Sequence, residues 1–343
     1  MALASGIALN VATDEPAKSV AAVGAKAPAD PAAQLEYANV PDTAEATKKY
    51  WTKARLRAAK PLDTPAVNAA PAAPQASALG TGPTLEGEGT LPEGAAATRS
   101  GGTASTQAVR VARQWTRHNA APARTIGKLY GVNNRGQQYT CSASVINAKN
   151  KRTIWTAGHC VHSGRGGTAG FARKLVFYPD FIDGRSKGVW TADRIVALKG
   201  WTTKGDLRYD IAAFTVRTYK GKGVQAYTGA QGFTFGYKGR AYNVYSFGYP
   251  ARALPSKRPM NSNRLWYCSG KSYGVNYGGG AVGLGMHCTM GNGASGGPWI
   301  YGMSRKGYGR IIGINSTHSL RTDQMNSPHH GTVAINVYKA IAG

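Results

Sequence analysis

The sequence predicts an all-β barrel domain, and three observations lead to that prediction. Short apolar and aromatic runs recur from about residue 106 onward, and Gly, Asn or Pro separates them, as is typical of strands joined by turns. Helical periodicity is scarce until residues 333–342, where we expect one short closing helix. The stretch 106–343 is long enough to bury the core of one all-β domain. The clearest predicted strands are 140–146, 152–156, 174–178, 211–216, 242–247 and 310–314.

The first part of the chain, residues 1–105, has a different composition. Ala, Pro, Gly and Thr dominate it, so it cannot bury enough apolar surface to offset its chain entropy as a conventional core. Within it, residues 42–60 predict one amphipathic helix, with Asp42 or Thr43 as its cap and Pro61 as its end. Residues 61–105 are rich in Pro, Ala, Gly and Thr, which predicts a flexible linker. We therefore divide the chain into a poorly structured region 1–105 and a folded domain 106–343.

Charge is divided unevenly between these two regions. Residues 1–105 contain 9 Lys or Arg and 10 Asp or Glu, a net charge of 9 − 10 = −1. Residues 106–343 contain 33 Lys or Arg and 6 acids, a net charge of 33 − 6 = +27, and all six acids are Asp. Such a balance suits anionic surfaces or acidic substrates. The basic residues are scattered singly and no nucleic-acid motif accompanies them, so nucleic acid is not the expected partner.

The four cysteines, all in the second region, point to an oxidising compartment. They are Cys141, Cys160, Cys268 and Cys288, an even number without a CxxC pair, which predicts two disulfides and export from the cell. A zinc site is the weaker interpretation, because the spacing and the nearby His residues form no familiar ligand set.

The sequence contains no clear targeting signal. Residues 1–12 are apolar, but they are short and lack a basic start, so they make a poor signal peptide. We expect the signal upstream of residue 1 or reduced to a remnant. No run reaches the length that spans a membrane, so no membrane span is expected.

Three short segments contain the residues that acyl-transfer chemistry needs. Residues 156–160 (TAGHC) follow an apolar run, residues 209–214 (YDIAAF) open a predicted strand, and residues 291–298 (GNGASGGP) surround a serine with glycines. A serine hydroxyl becomes nucleophilic when an imidazole takes its proton, and a carboxylate fixes the tautomer of that imidazole. The glycines let the backbone turn so that the N–H groups of Gly293 and Ser295 can bind an oxyanion.

Each segment alone also has an ordinary structural interpretation, as a turn, a surface histidine or a strand cap. Their joint occurrence in the order His, Asp, Ser is the order of chymotrypsin-like enzymes and differs from that of subtilisins and α/β-hydrolases. Asp193 and Asp206 compete with Asp210 for the carboxylate role. Asp210 is favoured because residues 211–216 form the clearer buried strand.

The segments TAGHC, DIA and GASGGP resemble those of the chymotrypsin-like serine peptidases over roughly residues 125–343. This resemblance implies a double six-stranded β-barrel with a short C-terminal helix. It also implies His159 as the general base, Asp210 as its orienting carboxylate and Ser295 as the nucleophile.

The resemblance further implies a disulfide between Cys141 and Cys160, beside the histidine. We expect the other two cysteines, Cys268 and Cys288, to pair with each other. Each disulfide would close a loop of about twenty residues, worth roughly 3 kcal/mol in the chain-entropy account.

The substrate pocket departs from two known patterns. Animal trypsins have an Asp six residues before the nucleophile, where this chain has Thr289, so cleavage after Lys or Arg is not supported. Residues 247–250 (FGYP) and 265–267 (LWY) are loosely similar to the bacterial glutamyl-endopeptidase branch. That branch has a Ser or Thr and a His where this chain has Met290 and Asn315, so a preference for Glu is not supported either. The pocket candidates are Thr289, Met290, Asn315, Ser316, Thr317 and His318.

Activation is predicted to differ from that of pancreatic enzymes. In those enzymes a newly cut N-terminal ammonium pairs with an Asp just before the nucleophile. Here Ala294 occupies that position, and a buried ammonium facing an alanine would be an unpaired charge. A helix and a linker ahead of an exported domain resemble the pro-segment of secreted bacterial proteases, and a spacer without an inhibitory role is the alternative. A pro-segment would cover the cleft or assist folding.

Two functions from different classes follow from these observations. The first is a secreted serine endopeptidase that is made as a precursor and acts on protein or peptide substrates. The second is an inactive homologue that binds anionic surfaces through its basic domain, since a fold alone does not prove chemistry. Neither function calls for a metal or an organic cofactor.

Overall fold

The protein is described from a computed structural model, which covers residues 33–63, 65–67, 82–95, 102–103, 107–277 and 282–343. The apolar start of the chain and about half of the predicted linker lie outside the described residues. The strands are β1 Leu35–Asn39, β2 Lys60–Pro61, β3 Leu85–Gly87, β4 Val109–Gln114, β5 Ile126–Val132, β6 Gln138–Val145, β7 Thr153–Thr156, β8 Arg173–Pro179, β9 Trp190–Leu198, β10 Ala212–Val216, β11 Gly232–Phe235, β12 Asn243–Gly248, β13 Trp266–Lys271, β14 Tyr273–Asn276, β15 Val282–His287, β16 Pro298–Tyr301, β17 Arg310–Ile314, β18 Thr317–His318 and β19 Gln324–Ser327. The α-helices are α1 Ala44–Tyr50, α2 Lys53–Ala58, α3 Lys199–Lys204, α4 Val224–Thr228 and α5 Thr332–Ile341.

The first half of the peptidase domain is a closed six-stranded barrel. Its strands pair in the order β9-β10-β7-β6-β5-β8, and β8 pairs back onto β9. Trp155, Phe177 and Phe214 fill its interior and are fully buried. Closure leaves no open sheet edge around this ring, which makes the barrel a rigid base for residues at its strand ends.

The second half is built from two sheets. One has the order β3-β11-β17-β16-β12-β13-β4, and the other has the order β14-β15-β19-β18. Their common core includes Trp299, Leu284, Met286 and Ile312, all fully buried. The helix α5 packs its apolar side onto the core of the first half. The predicted fold class is confirmed, and each of the six predicted strands is present with its ends within two residues of the prediction.

The predicted helix 42–60 is in fact two helices, α1 and α2. Thr52 interrupts it, because its hydroxyl oxygen accepts a hydrogen bond from the N–H of Arg55 over 3.3 Å and caps the second helix. Trp51 turns inward at the break and is 4% exposed. Its Nε1–H donates to the carbonyl of Lys174 in β8 over 2.6 Å, so tertiary contacts prevail over helical periodicity here.

The described part of the N-terminal region lies against the peptidase domain. Strand β1 pairs antiparallel with β9, β2 pairs parallel with β6, and β3 pairs antiparallel with β11. Strands β2 and β3 fall within the stretch whose composition predicted a linker. Backbone pairing to a preformed sheet orders them, although they supply few apolar side chains of their own. Among the described residues, no helix is both long enough and apolar enough to cross a bilayer.

Candidate active site

His159 and Asp210 meet at one end of the closed barrel. His159 lies in the 3₁₀ turn Gly158–Cys160 just after β7, and Asp210 lies just before β10. Strands β7 and β10 are antiparallel neighbours, with Thr156 opposite Ala212, so the end of one adjoins the start of the other. This register brings two residues that are 51 positions apart in sequence into direct contact.

The carboxylate of Asp210 is fully buried and accepts three hydrogen bonds. Its Oδ1 accepts from the backbone N–H of His159 over 2.7 Å, and its Oδ2 accepts from His159 Nδ1 over 2.8 Å. Oδ2 also accepts from the Ser316 hydroxyl over 2.6 Å. Because an ionised carboxylate can only accept, the imidazole donates through Nδ1 in this bond, and Nε2 is the ring nitrogen that faces away from Asp210. Nε2 is buried and has no hydrogen-bond partner within the described ranges.

The competing aspartates are used in other ways. Asp206 caps the turn that precedes Asp210 and accepts from the Arg208 side chain over 3.0 Å. Asp193 forms ion pairs with Arg152 over 3.2 Å and with Arg217 over 3.1 Å. Of these three carboxylates, the His159 ring contacts only that of Asp210.

Ser295 lies in a glycine turn held against the first half. Gly293 and Gly296 have φ angles of 92° and 78°, which favour glycine. A Cβ on Gly296 would lie 2.1 Å from Thr156 Oγ1, so the turn approaches the chain just before His159. The N–H of Ser142 in β6 donates to the carbonyl of Ser295 over 2.7 Å. These contacts bring the buried Ser295 to the same end of the barrel as the His–Asp pair.

The turn also aims a backbone donor outward. The Ser142 hydroxyl donates to the carbonyl of Gly293 over 2.9 Å and so holds the peptide between Gly293 and Ala294. The N–H of Gly293 then donates to the carbonyl of Leu62, in the N-terminal region, over 3.2 Å. The Gly293 N–H, one of the two expected oxyanion donors, therefore already faces a carbonyl oxygen from another part of the chain.

Asn315, a pocket candidate, uses its whole amide inside the protein. It is 1% exposed, and its Oδ1 accepts from Ser246 Oγ and Trp299 Nε1, each over 2.7 Å. Its Nδ2 donates to the carbonyls of Phe247 and Ala294, each over 2.9 Å. These four bonds exhaust the donors and acceptors of an asparagine side chain, and one of them fastens the residue before Ser295.

The other pocket candidates lie in different environments. Thr289 is tied to β4, since its Oγ1 accepts from the N–H of Ala112 over 2.9 Å. Met290 is fully buried in the core of the second half. His318 is 3% exposed, and its Nδ1 has no partner within the described ranges. Burial and, to a smaller extent, the nearby His159 lower the pKa of His318 to about 4, so this ring is neutral near pH 7.

The structure contains two disulfides, Cys141–Cys160 and Cys268–Cys288, with Cα separations of 6.0 and 5.5 Å. The first ties β6 to the turn that carries His159. The sulfurs of Cys141 and Cys160 lie close to the His159 ring, but both are consumed in this disulfide and offer no thiolate to a metal.

Comparison with known proteins agrees with this geometry. The sequence model of the trypsin family matches residues 116–342. The chain belongs to the trypsin family. It is therefore a hydrolase of the serine endopeptidase class, which agrees with its likeness to solved proteases.

Three solved structures illustrate the likeness. The protease Anisep from Arthrobacter nicotinovorans is 32% identical, with a TM-score of 0.58 over 67% of this chain and 99% of that one. The thermostable serine protease AL20 from an extremophilic microorganism is 33% identical, with a TM-score of 0.57 over 64% of this chain and 97% of that one. A Glu endopeptidase is 16% identical, with a TM-score of 0.51 over 67% and 95%, and shares the fold alone. No curated protein sequence matches the chain.

Two features of the site were not anticipated from the sequence. The sequence indicates Ser316 only as a pocket candidate, yet its hydroxyl donates to Asp210. The composition predicts that Leu62 lies in a linker, yet its carbonyl accepts a hydrogen bond from Gly293. Neither contact has a local signal, because the partners are 106 and 231 positions apart in the sequence.

Proposed function

We propose that this trypsin-family enzyme hydrolyses internal peptide bonds through His159, Asp210 and Ser295. The observation that best supports this proposal is the buried Asp210 carboxylate, which accepts hydrogen bonds from both the ring Nδ1 and the backbone N–H of His159. A surface histidine or a capping aspartate would keep its polar atoms in water. His159 and Asp210 are instead both buried, and the carboxylate bonds to His159 and Ser316.

In the proposed mechanism, His159 Nε2 takes the proton of the Ser295 hydroxyl as its oxygen attacks the substrate carbonyl. The Nδ1–H bond to Asp210 stabilises the imidazolium that forms. The N–H groups of Gly293 and Ser295 bind the oxyanion of the tetrahedral intermediate. His159 then gives its proton to the leaving amine, which yields an acyl-enzyme that water hydrolyses by the same steps in reverse order.

Two residues act as positioning residues in this proposal. The Ser316 hydroxyl fills one lone pair of Asp210 and so orients the carboxylate toward His159. The Asn315 amide bonds the carbonyl of Ala294 and so holds the turn that carries Ser295. Because the Asn315 amide is fully used and Thr289 Oγ1 is bound to the N–H of Ala112, pocket selectivity rests with Met290, Thr317 and His318.

We further propose that the enzyme is secreted and made as a precursor. Two disulfides are consistent with an oxidising compartment. The N-terminal region, which precedes the part that matches the trypsin family, lies on the peptidase domain and contacts Gly293. A removable inhibitory segment accounts for both features.

The test is labelling with a fluorophosphonate, which reacts with activated serines, followed by peptide mapping. We expect the label on Ser295 once the N-terminal region has been cut away, and no label in Ser295→Ala. Circular dichroism of Ser295→Ala serves as the control that the variant is folded. A label on another serine, or undiminished peptide hydrolysis by folded Ser295→Ala, would refute the assignment. No observation on the described residues favours the alternative of an inactive protein that binds anionic surfaces.

A further inference from the structure

A short part of the N-terminal region runs across the proposed catalytic centre. We define the cleft segment as residues 60–63 and 65–67. In it, the N–H of Leu62 donates to the carbonyl of Thr140 in β6 over 2.9 Å. The carbonyl of Leu62 accepts from the N–H of Gly293 over 3.2 Å. Leu62 therefore places its carbonyl where the carbonyl of a substrate is expected to bind.

The direction of the cleft segment is fixed by its pairing at both ends. At its start, β2 pairs parallel with β6. At its end, Ala66 forms a parallel bridge with His318 in β18. There the N–H of His318 donates to the carbonyl of Pro65 over 3.2 Å, and the N–H of Val67 donates to the carbonyl of His318 over 3.1 Å. The chain thus runs from β6 toward β18 in the N-to-C direction.

A productive substrate must run the other way. The pocket for the residue before the scissile bond is expected around residues 315–318, so the acyl part of a substrate lies there. Its leaving part then extends toward β6. In the cleft segment, the residues after Leu62 lie on the acyl side, and the residues before it lie on the leaving side. The amide nitrogen of Asp63 therefore faces away from the position at which His159 would protonate a leaving amine.

We propose that the cleft segment inhibits the peptidase in cis by lying in the substrate cleft in the reverse direction. It occupies the Gly293 N–H of the expected oxyanion site and pairs with both walls, so that substrate is excluded. Its own peptide bond after Leu62 is not cut, because the leaving nitrogen has no proton donor. The inference rests on the proposed function and adds a regulatory role for residues that match no part of the trypsin family model.

Contacts of the residues before the cleft segment, and of Asp63 within it, hold the segment in place. Strand β1 pairs along five residues with β9, and Trp51 is packed beside β8. The Asp63 carboxylate also accepts from the Asn292 side chain, one residue before Gly293. Because these anchors belong to the same chain, the effective concentration of the segment at the cleft is high, and a few hydrogen bonds suffice to occupy it.

The direction can be tested in the full chain without any catalytic readout. We would compare two double variants, Ala66→Cys with His318→Cys and Lys60→Cys with His318→Cys, after treatment with a short bismaleimide. Both lose His318, so they are matched. In the reverse direction, residue 66 adjoins residue 318 and residue 60 lies about 20 Å away, the span of six extended residues. Peptide mapping should find the crosslink in the first variant and not in the second. A crosslink in the second variant only, in both, or in neither overturns the proposal.

Inhibition is tested by the rate of fluorophosphonate labelling in the uncut chain. Leu62→Pro removes the N–H that bonds Thr140 and crowds β6, so labelling should accelerate about tenfold. The matched control is Leu85→Pro in β3, which loosens another contact of the N-terminal region and should change the rate less than about twofold. Equal rates for the wild type and Leu62→Pro, or equal acceleration by both variants, overturn the inference and leave the proposed function standing. Failure of every form to label, even after the region before residue 107 has been cut away and removed, overturns both.

Discussion

The two halves of the peptidase domain hold their parts of the site in different ways. In the first half, a closed barrel fixes His159 and Asp210 at adjoining strand ends, and one pair of side chains makes the contact. In the second half, Ser295 lies in a turn of left-handed glycines, which is held by Ser142 from the other half and by Asn315 from its own. The proposed base, His159, is therefore positioned by regular structure, whereas the proposed nucleophile, Ser295, is positioned by buried polar contacts.

The largest expected effect lies in the first half. Asp210→Asn should lower kcat on the order of 10⁴-fold, since an amide favours the wrong tautomer of His159 while keeping the shape. Asp206→Asn is the matched control and should leave kcat within about threefold, because Asp206 bonds Arg208 and not the imidazole. Steady-state hydrolysis of a peptide substrate measures both. A large loss in Asp206→Asn with little loss in Asp210→Asn would mean that the other carboxylate serves the histidine.

In the second half, Asn315→Ala should show how much the turn depends on one buried amide. It leaves Trp299 Nε1, Ser246 Oγ and two carbonyls without their partner. We expect a loss of unfolding free energy of about 3 kcal/mol and a fall in kcat on the order of 10²-fold, because the Ser295 turn loosens.

Thr289→Val is the control for Asn315→Ala. It removes one hydrogen bond of a neighbouring pocket candidate, that of Thr289 Oγ1 to Ala112 N–H, and should cost about 1 kcal/mol with little change in kcat. Urea unfolding and steady-state kinetics separate the two variants. If Asn315→Ala lowered stability but left kcat unchanged, the amide would support the fold without positioning the nucleophile.

Acid should lower the free energy of unfolding through two buried histidines, His318 in β18 and His330 just before α5. Burial lowers the pKa of His318 to about 4 and that of His330 to about 3, and His330 also accepts from Trp155 Nε1 over 3.1 Å. Both folded-state pKa values lie below the usual 6.5, so the unfolded chain binds more protons. Their contribution to stability is complete above pH 6.5 and is lost as the pH falls toward 4. Between pH 6.5 and 5, the free energy of unfolding should fall by about 2 kcal/mol for each histidine.

Urea unfolding at several pH values checks this prediction. The variant His318→Asn should take up about one proton fewer on unfolding in this window than the wild type does. An unchanged pH slope in His318→Asn would show that this ring is protonated as readily in the folded protein as in the unfolded one.

The smallest effect is expected at the new N-terminus. Forms that begin at residues 105–108, with or without one extra residue, should differ in kcat by less than about twofold, because Ala294 offers no carboxylate to an N-terminal ammonium. These starts retain β4, which pairs with β13. A sharp dependence on one particular first residue would mean that the amine has another buried carboxylate partner, and that the Ser295 turn is not independent of processing.

The sequence was sufficient to predict those features that depend on a short segment of the chain. Residues 156–160 and 291–298 contain the side chains proposed as base and nucleophile, together with the glycines of the turn, so these proposals could be made from local sequence. The six strands could be predicted for the same reason, since each is an apolar run bounded by turn residues. The helical periodicity of residues 42–60 led to the wrong prediction of a single helix. The burial of Trp51 against β8 divides this stretch into two helices.

By itself, then, the sequence determined the all-β fold class, the order of the three proposed catalytic residues and the glycines around the serine. Only the tertiary structure decided that Ser316 bonds Asp210, that the Asn315 amide is used up inside the second half, and that residues 60–61 pair with β6 and Ala66 pairs with β18. The physical reason is the range of the interactions. A turn or a strand is selected by neighbours along the chain, whereas these contacts join residues many positions apart that meet only when the barrel closes and the two halves pack together.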